Sequence, residues 1–367
     1  MTHRSFGLVA RLMLMVMVAL GALGTVGQRA VAQAADCAAP SGDASPAASP
    51  EAGGGASPVA TGGAGIDVAF IPKAVSIPYF ASSFKGAEEA AAETGGTVRQ
   101  VGPDQADAAG QVQFIQTVTQ EAPQAIAVSA NDPNALAPSL QDARSKGIKV
   151  VSFDSDVAPD ARDVFINQAE SEGIGRTQIQ IIGRQIGCEG EIAVLSAAST
   201  ATNQNAWIEF MKDELTKPGY ENMSLVEVVY GDDVAQTSYD KTLELLTAYP
   251  DLKGIVSPTS VGIVAAAQAL EAEGRTDVAL TGLGLPNEMQ PYVESGTVKE
   301  FALWNPVDLY YLTYYAAAAL VNGEMTGAPG DTFTAGRLGS YTVGEGGVVL
   351  LGPPFIFDID NVADFDF

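Results

Sequence analysis

"IDVAFIPKAVSIPYF", residues Ile66 to Phe80, is the stretch on which the reading of the chain turns. "IDVAFI" is a short, largely apolar run of the kind that forms a strand buried in a parallel sheet. Pro72 ends that strand and denies Lys73 a helical start, so a lysine is left at the strand's carboxyl end. Tyr79 and Phe80 stand at the start of the helix that follows.

The same pattern recurs. "TVRQV" at Thr97, "AIAVS" at Ala125 and "IKVVSF" at Ile148 alternate with helical stripes such as Phe80, Phe84, Ala87 and Ala91, or Val112, Ile115 and Val118. Asp132 with Pro133 reads as an N-cap and first helical position, and Gly147 as a helix stop. A second series follows: "EIAVLS" at Glu191, "LVEVVY" at Leu225, "GIVS" at Gly254, "VALTGL" at Val278 and "EFALW" at Glu300. Strands alternating with helices imply parallel sheets with crossover helices, here in two Rossmann-like α/β lobes. "DVFINQ" (Asp163–Gln168) and the stretch Trp304–Pro306 read as crossovers at a hinge. The first lobe is expected over 66–167 plus about 305–345, and the second over 168–304 plus about 346–367.

Upstream, Arg4 and Arg11, the apolar run Leu12–Val26 and the small residues of Ala32-Gln33-Ala34 read as a secretory signal over 1–34. The run is shorter than the roughly 20 residues that a membrane-spanning helix needs. Residues 35–65 are Ala, Gly, Ser and Pro with hardly a large apolar side chain, the composition of a flexible linker.

The formal charge is −25, and loss of Arg4, Arg11 and Arg29 with a signal that holds no acid takes it to −28. Such a chain repels nucleic acid and anionic lipid. His3 is the single histidine and lies in the signal, so Ser-His-Asp and Cys-His catalysis and histidine metal sites are excluded from the mature chain. No cofactor, metal or catalytic residue is expected. Cys37 and Cys188 can bridge in an oxidising compartment; lipidation of Cys37 is the alternative, although Ala-Ala-Asp before it is a poor lipobox.

Ligands of open parallel sheets bind beyond the carboxyl ends of the strands. Collecting those ends gives Lys73, Asp154, Asn203 with Gln204, Pro258 to Ser260, and Trp304 with Asn305, walled by Tyr79 and Phe80. One cation, a carboxylate, amides, a hydroxyl and aromatic faces form a set suited to a sugar, because charged partners strengthen bonds to neutral hydroxyls and rings cover the apolar face. Asn203 and Ser260 also stand where helix N-caps are wanted. Asp154 and Asp156, two residues apart, could in principle serve as paired acids of a glycoside hydrolase, which is the competing enzymatic reading.

"VSANDPNALAPSL", "STATNQNAWIEFMK", "VVYGDDVAQTSYDK", "SPTSVGIVAAAQ", "TGLGLPNEM", "EFALWNPVDL" and "AGRLG" resemble the type I periplasmic sugar-binding proteins of ABC importers, in particular the rhamnose-binding branch. "AFIPK", "DSD", "YPDL", "GTVKEFALW" and the ending "FIFDIDNVADFDF" also resemble the autoinducer-2 binding proteins. That family holds its signal with a lysine matching Lys73, an aspartate matching Asp154, an Asp-Gln pair, and a proline and an alanine. Here the pair is Asn203-Gln204 and the last two are Pro258 and Ser260, a departure toward the rhamnose type. The resemblance implies an exported, monomeric, non-enzymatic protein that captures a neutral monosaccharide and delivers it to an ABC permease and its ATPase. Autoinducer-2 uptake and partnership with a chemoreceptor are the alternatives.

Overall fold

The computed structural model describes Cys37 and residues 65–367; the expected signal, and the expected linker apart from Cys37 and Gly65, lie outside the described residues. In chain order the elements are β1 (Asp67–Ile71), α1 (Pro78–Thr94), β2 (Thr97–Gln100), α2 (Ala108–Glu121), β3 (Ala125–Val128), α3 (Pro133–Ser145), β4 (Lys149–Phe153), β5 (Val164–Asn167), α4 (Ser171–Ile186), β6 (Glu189–Ser196), α5 (Thr202–Glu214) and β7 (Asn222–Tyr230). They continue with α6 (Ala235–Ala248), β8 (Gly254–Ser257), α7 (Ser260–Glu273), β9 (Ala279–Gly282), α8 (Pro286–Ser295), β10 (Phe301–Leu303), α9 (Pro306–Val321), β11 (Thr332–Ala335), β12 (Gly339–Thr342), β13 (Val348–Leu350) and β14 (Phe355–Phe357).

Two parallel sheets result, one in the order β13-β5-β4-β3-β1-β2 and the other β7-β6-β8-β9. Val68 is matched with Val98 on one side and Ala125 on the other, and β3 and β8 are buried along their whole length. That is why these strands read as continuous apolar runs. Helix starts follow local chemistry: Asp107 accepts from the amides of Ala109 and Gly110 to cap α2, and Asp132 caps α3 through Asn134 and Ala135. Lobe one is closed by α9, buried almost throughout, which packs on α1 and against β3, β4 and β5. A side chain at Gly86 of α1 would collide with the backbone carbonyl of Val307, so glycine sets how closely the two helices approach.

The chain differs from its sequence reading at the hinge. Val164–Asn167 is not a bare crossover: it is β5, paired with β4 and β13, and the crossing comes just after it. The pairing of β13 with β5 puts residues 348–350 in the first sheet, although they lie in the segment that the sequence reading assigns to the second lobe. Beyond them β14 pairs antiparallel with β10, so the chain crosses a third time at Leu351–Pro354. Cys37 and Cys188 form a disulfide, which resolves the open alternatives for Cys37 in favour of the bridge.

Candidate functional site

Carboxyl ends of strands from both sheets meet at one cavity, lined by residues of both lobes, the concave kind of place where small molecules bind. From the first lobe it receives Lys73 after β1, Tyr79 and Phe80 in the first turn of α1, and Asp154, the residue after β4. Opposite stand Asn203 and Gln204 in the first turn of α5, Pro258 just after β8, and Ser260 at the start of α7. Trp304, after β10, completes the set. Asn305 is not brought in. Its side chain caps α9, accepting from the amides of Val307 and Asp308 at 3.0 and 3.2 Å. Asn203 and Ser260 are not the caps expected of them: α5 begins after Ala201 and α7 after Thr259, neither with a side-chain cap bond.

A charged hydrogen-bond chain runs through the cavity wall. Lys73 Nζ lies 3.9 Å from Asp154 Oδ2, both side chains 6% exposed, and donates to Asn203 Oδ1 at 3.3 Å. Asp154 shares the first lobe with Lys73, so the lysine's reach across the cleft is to Asn203 rather than to the aspartate. Ser129 donates to Asp154 Oδ2 at 2.7 Å and Tyr79 to Oδ1 at 3.4 Å. Trp304 Nε1 in turn donates to the Tyr79 hydroxyl at 2.8 Å, which ties the second lobe to the first. Asp154 holds a left-handed backbone, φ 59°, tolerated by aspartate but uncommon. Asp156 faces away, gripped by Arg162 Nε at 2.7 Å and Nη2 at 2.9 Å.

Burial pushes the Asp154 carboxyl up, while Lys73, Ser129 and Tyr79 pull it back down. Tyr79 is raised well above the ordinary tyrosine value, by burial first and then by the Asp154 charge. It is therefore a neutral donor at physiological pH.

Aromatic faces supply the apolar part. Phe80 meets Tyr79 edge-on at 5.0 Å, and Trp304 lies 5.9 Å from Trp207. Thr259, within the collected Pro258 to Ser260, lines the cavity too, and Trp207, Asp233, Ile77, Leu283 and Leu303 line it without being singled out by the sequence. Asp233 follows β7 and obeys the same strand-end rule as Asp154. Trp207 lies three residues beyond Gln204 and so shares its helix face. No pattern in the sequence marks the three aliphatic residues.

Among the described residues no group of three or more Cys, Asp or Glu side chains is arranged to hold a metal ion. No helix there is long and apolar enough to cross a membrane.

Residues 68–325 match the periplasmic binding protein domain family. The chain is 46% identical to a sugar ABC transporter protein of Actinomyces odontolyticus, covering 83% of this chain and all of that one, with a TM-score of 0.68. It is 39% identical to an ABC transporter solute-binding protein of Clostridium phytofermentas with bound L-rhamnose, over 82% of this chain and 98% of the other, with a TM-score of 0.79. LsrB of Clostridium saccharobutylicum in complex with AI-2 is 26% identical, over 82% and 100% of the two chains, with a TM-score of 0.78.

Proposed function

Since the chain belongs to the periplasmic binding protein domain family, we propose that it is an exported, monomeric carrier. It closes on one neutral monosaccharide, L-rhamnose or a related deoxyhexose, and presents it unaltered to an ABC permease driven by its ATPase. The observation that carries this reading is the cavity between the strand ends of two parallel sheets, with Lys73 of one lobe bonded to Asn203 of the other. A group shared between lobes makes ligand contacts available only when the lobes are together. Differential binding to that closed form is what moves the population.

The ligand set supports a sugar: Lys73 and the Gln204 amide donate, Asp154 organises them, and Phe80 and Trp304 offer faces for the ring. The amide orientation of Gln204 follows from its partners. The Ala197 N–H, which can only donate, lies 2.9 Å from Oε1, so the NH2 is the group left for a ligand. The relative with bound L-rhamnose supports the deoxyhexose. Lys73, Asp154, Gln204 and Pro258, which match the autoinducer-2 set, support that signal as the second reading, with Asn203 and Ser260 as the departures from it.

Thermal shift and calorimetry against L-rhamnose, D-fucose, D-arabinose and autoinducer-2 test the proposal. Saturable binding of L-rhamnose without product is the expected result; ligand at 100 times its Kd adds about 2.7 kcal/mol to folding stability. Failure of every member of the panel to bind removes it.

A further inference from the structure

Asp233 is the one carboxylate of the cavity whose hydrogen-bonding capacity the protein leaves partly unused. It follows β7 in "YGDDV", Tyr230–Val234, and both it and Asp232 hold left-handed backbones, φ 51° and 54°. That paired turn is uncommon for non-glycine residues and sets the half-buried Asp233 side chain at the cavity wall. Thr259 donates to its Oδ1; among the described residues its other oxygen receives no hydrogen bond.

The acceptor oxygens of Asp154, Asn203 and Gln204 are occupied. Asp154 receives Tyr79 on one oxygen and Ser129 on the other, with Lys73 beside the second. Asn203 Oδ1 receives both Lys73 and the Gln204 amide, and Gln204 Oε1 receives Ser196 and Ala197. One donor is idle as well. Trp207 Nε1 is buried and has no partner among the described residues, although Trp207 lines the same cavity. An N–H left buried and unpaired carries a free-energy penalty that a bound acceptor removes.

We propose that Asp233 is the carboxylate through which the second lobe accepts ligand hydroxyls, with the Trp207 indole N–H as the matching donor. The inference rests on the carrier reading above and assigns it two recognition groups that lie outside the autoinducer-2 set. It also deepens the specificity. With Asp154 and Asp233 against the single Lys73, the cavity carries excess negative charge, so neutral polyols are admitted and sugar acids or phosphates are repelled. Burial pushes the Asp233 carboxyl up, with Asp154 and Asp232 adding to the rise while Lys73 and Thr259 oppose it. A hydroxyl donating to the free oxygen works in the same direction as Lys73.

Calorimetry on the full exported chain, with L-rhamnose, D-fucose, D-arabinose and autoinducer-2 as probes, decides the matter. Asp233→Asn keeps the shape and Thr259 contact while losing the charge. It is expected to weaken the tightest probe at least tenfold, with no fall in the ligand-free melting temperature. Trp207→Phe keeps the aromatic bulk and is expected to weaken the same probe about fivefold or more. Asp233→Glu, which restores charge at a different reach, is expected to bind better than Asp233→Asn. Parent and Asp233→Asn binding equally well overturns the assignment while leaving the carrier reading intact. A parent that binds none of the four probes overturns both. Loss of affinity accompanied by an equal loss of melting temperature in Asp233→Asn marks a structural role and also overturns it.

Discussion

The Lys73 ammonium, delivered by β1 of the first lobe, donates to Oδ1 of Asn203 in the second lobe at 3.3 Å, across 130 residues of sequence. The lobes are therefore joined at the ligand site itself. Any change to this pair acts on ligand contact and on lobe closure together, which gives the pair its value as a probe.

Replacing Lys73 by Ala, or Asp154 by Ala, is expected to weaken sugar binding by about 1.5–3 kcal/mol each, the range for hydrogen bonds to charged groups. Because the two side chains lie 3.9 Å apart, the double variant should lose less than the sum of the singles. Calorimetry on the three variants measures this. Binding equal to the parent in both single variants would remove these residues from the site.

Asn203→Asp tests the choice of ligand. The new carboxylate keeps the bonds from Lys73 Nζ and the Gln204 amide and recreates the Asp-Gln pair of the autoinducer-2 set. Affinity for autoinducer-2 should rise and that for L-rhamnose fall. An unchanged ratio of the two would mean that position 203 does not set the preference.

The two cavity carboxylates make ligand-free stability depend on pH. Burial raises both Asp154 and Asp233. Between the ordinary aspartate range and these raised values the folded chain holds more protons than the unfolded one, so unfolding free energy falls as pH rises through that window. The urea midpoint should therefore climb as pH is lowered from neutral into the window, and Asp154→Asn with Asp233→Asn should flatten the climb. An identical slope in parent and double variant would contradict the burial argument.

The Cys37–Cys188 bridge closes a span of 151 residues. Constraining the unfolded chain over so long a loop is worth roughly 2–4 kcal/mol. Cys188→Ser, or the parent under reductant, should lower the unfolding free energy extrapolated from urea by that much, and the midpoint with it, without changing sugar affinity, since neither cysteine lines the cavity. An unshifted midpoint would show that the bridge only tethers its segment.

Much of the architecture is legible in the chain because burial on both faces of a parallel sheet leaves short, continuous apolar runs, and because Asp132-Pro133 and Gly147 carry helix ends in their own backbone chemistry. The strand-end rule likewise finds Lys73, Asp154, Asn203 and Gln204, since parallel topology sends those positions to one side. The same rule also points to Asp233, the third residue after β7, which the sequence reading left out.

Sequence alone thus determined the parallel α/β lobes and most of the polar groups that face each other. Tertiary structure decided which of those groups are already occupied: Asn305 is consumed by the amides of α9, Asp154 by Ser129 and Tyr79, while Asp233 and Trp207 keep bonding capacity in reserve. It also decided that β13 returns to the first sheet and that Cys37 reaches Cys188. Periodicity is written by neighbours a few residues apart, whereas hydrogen-bond partners 75 to 225 residues away are chosen only when the lobes pack.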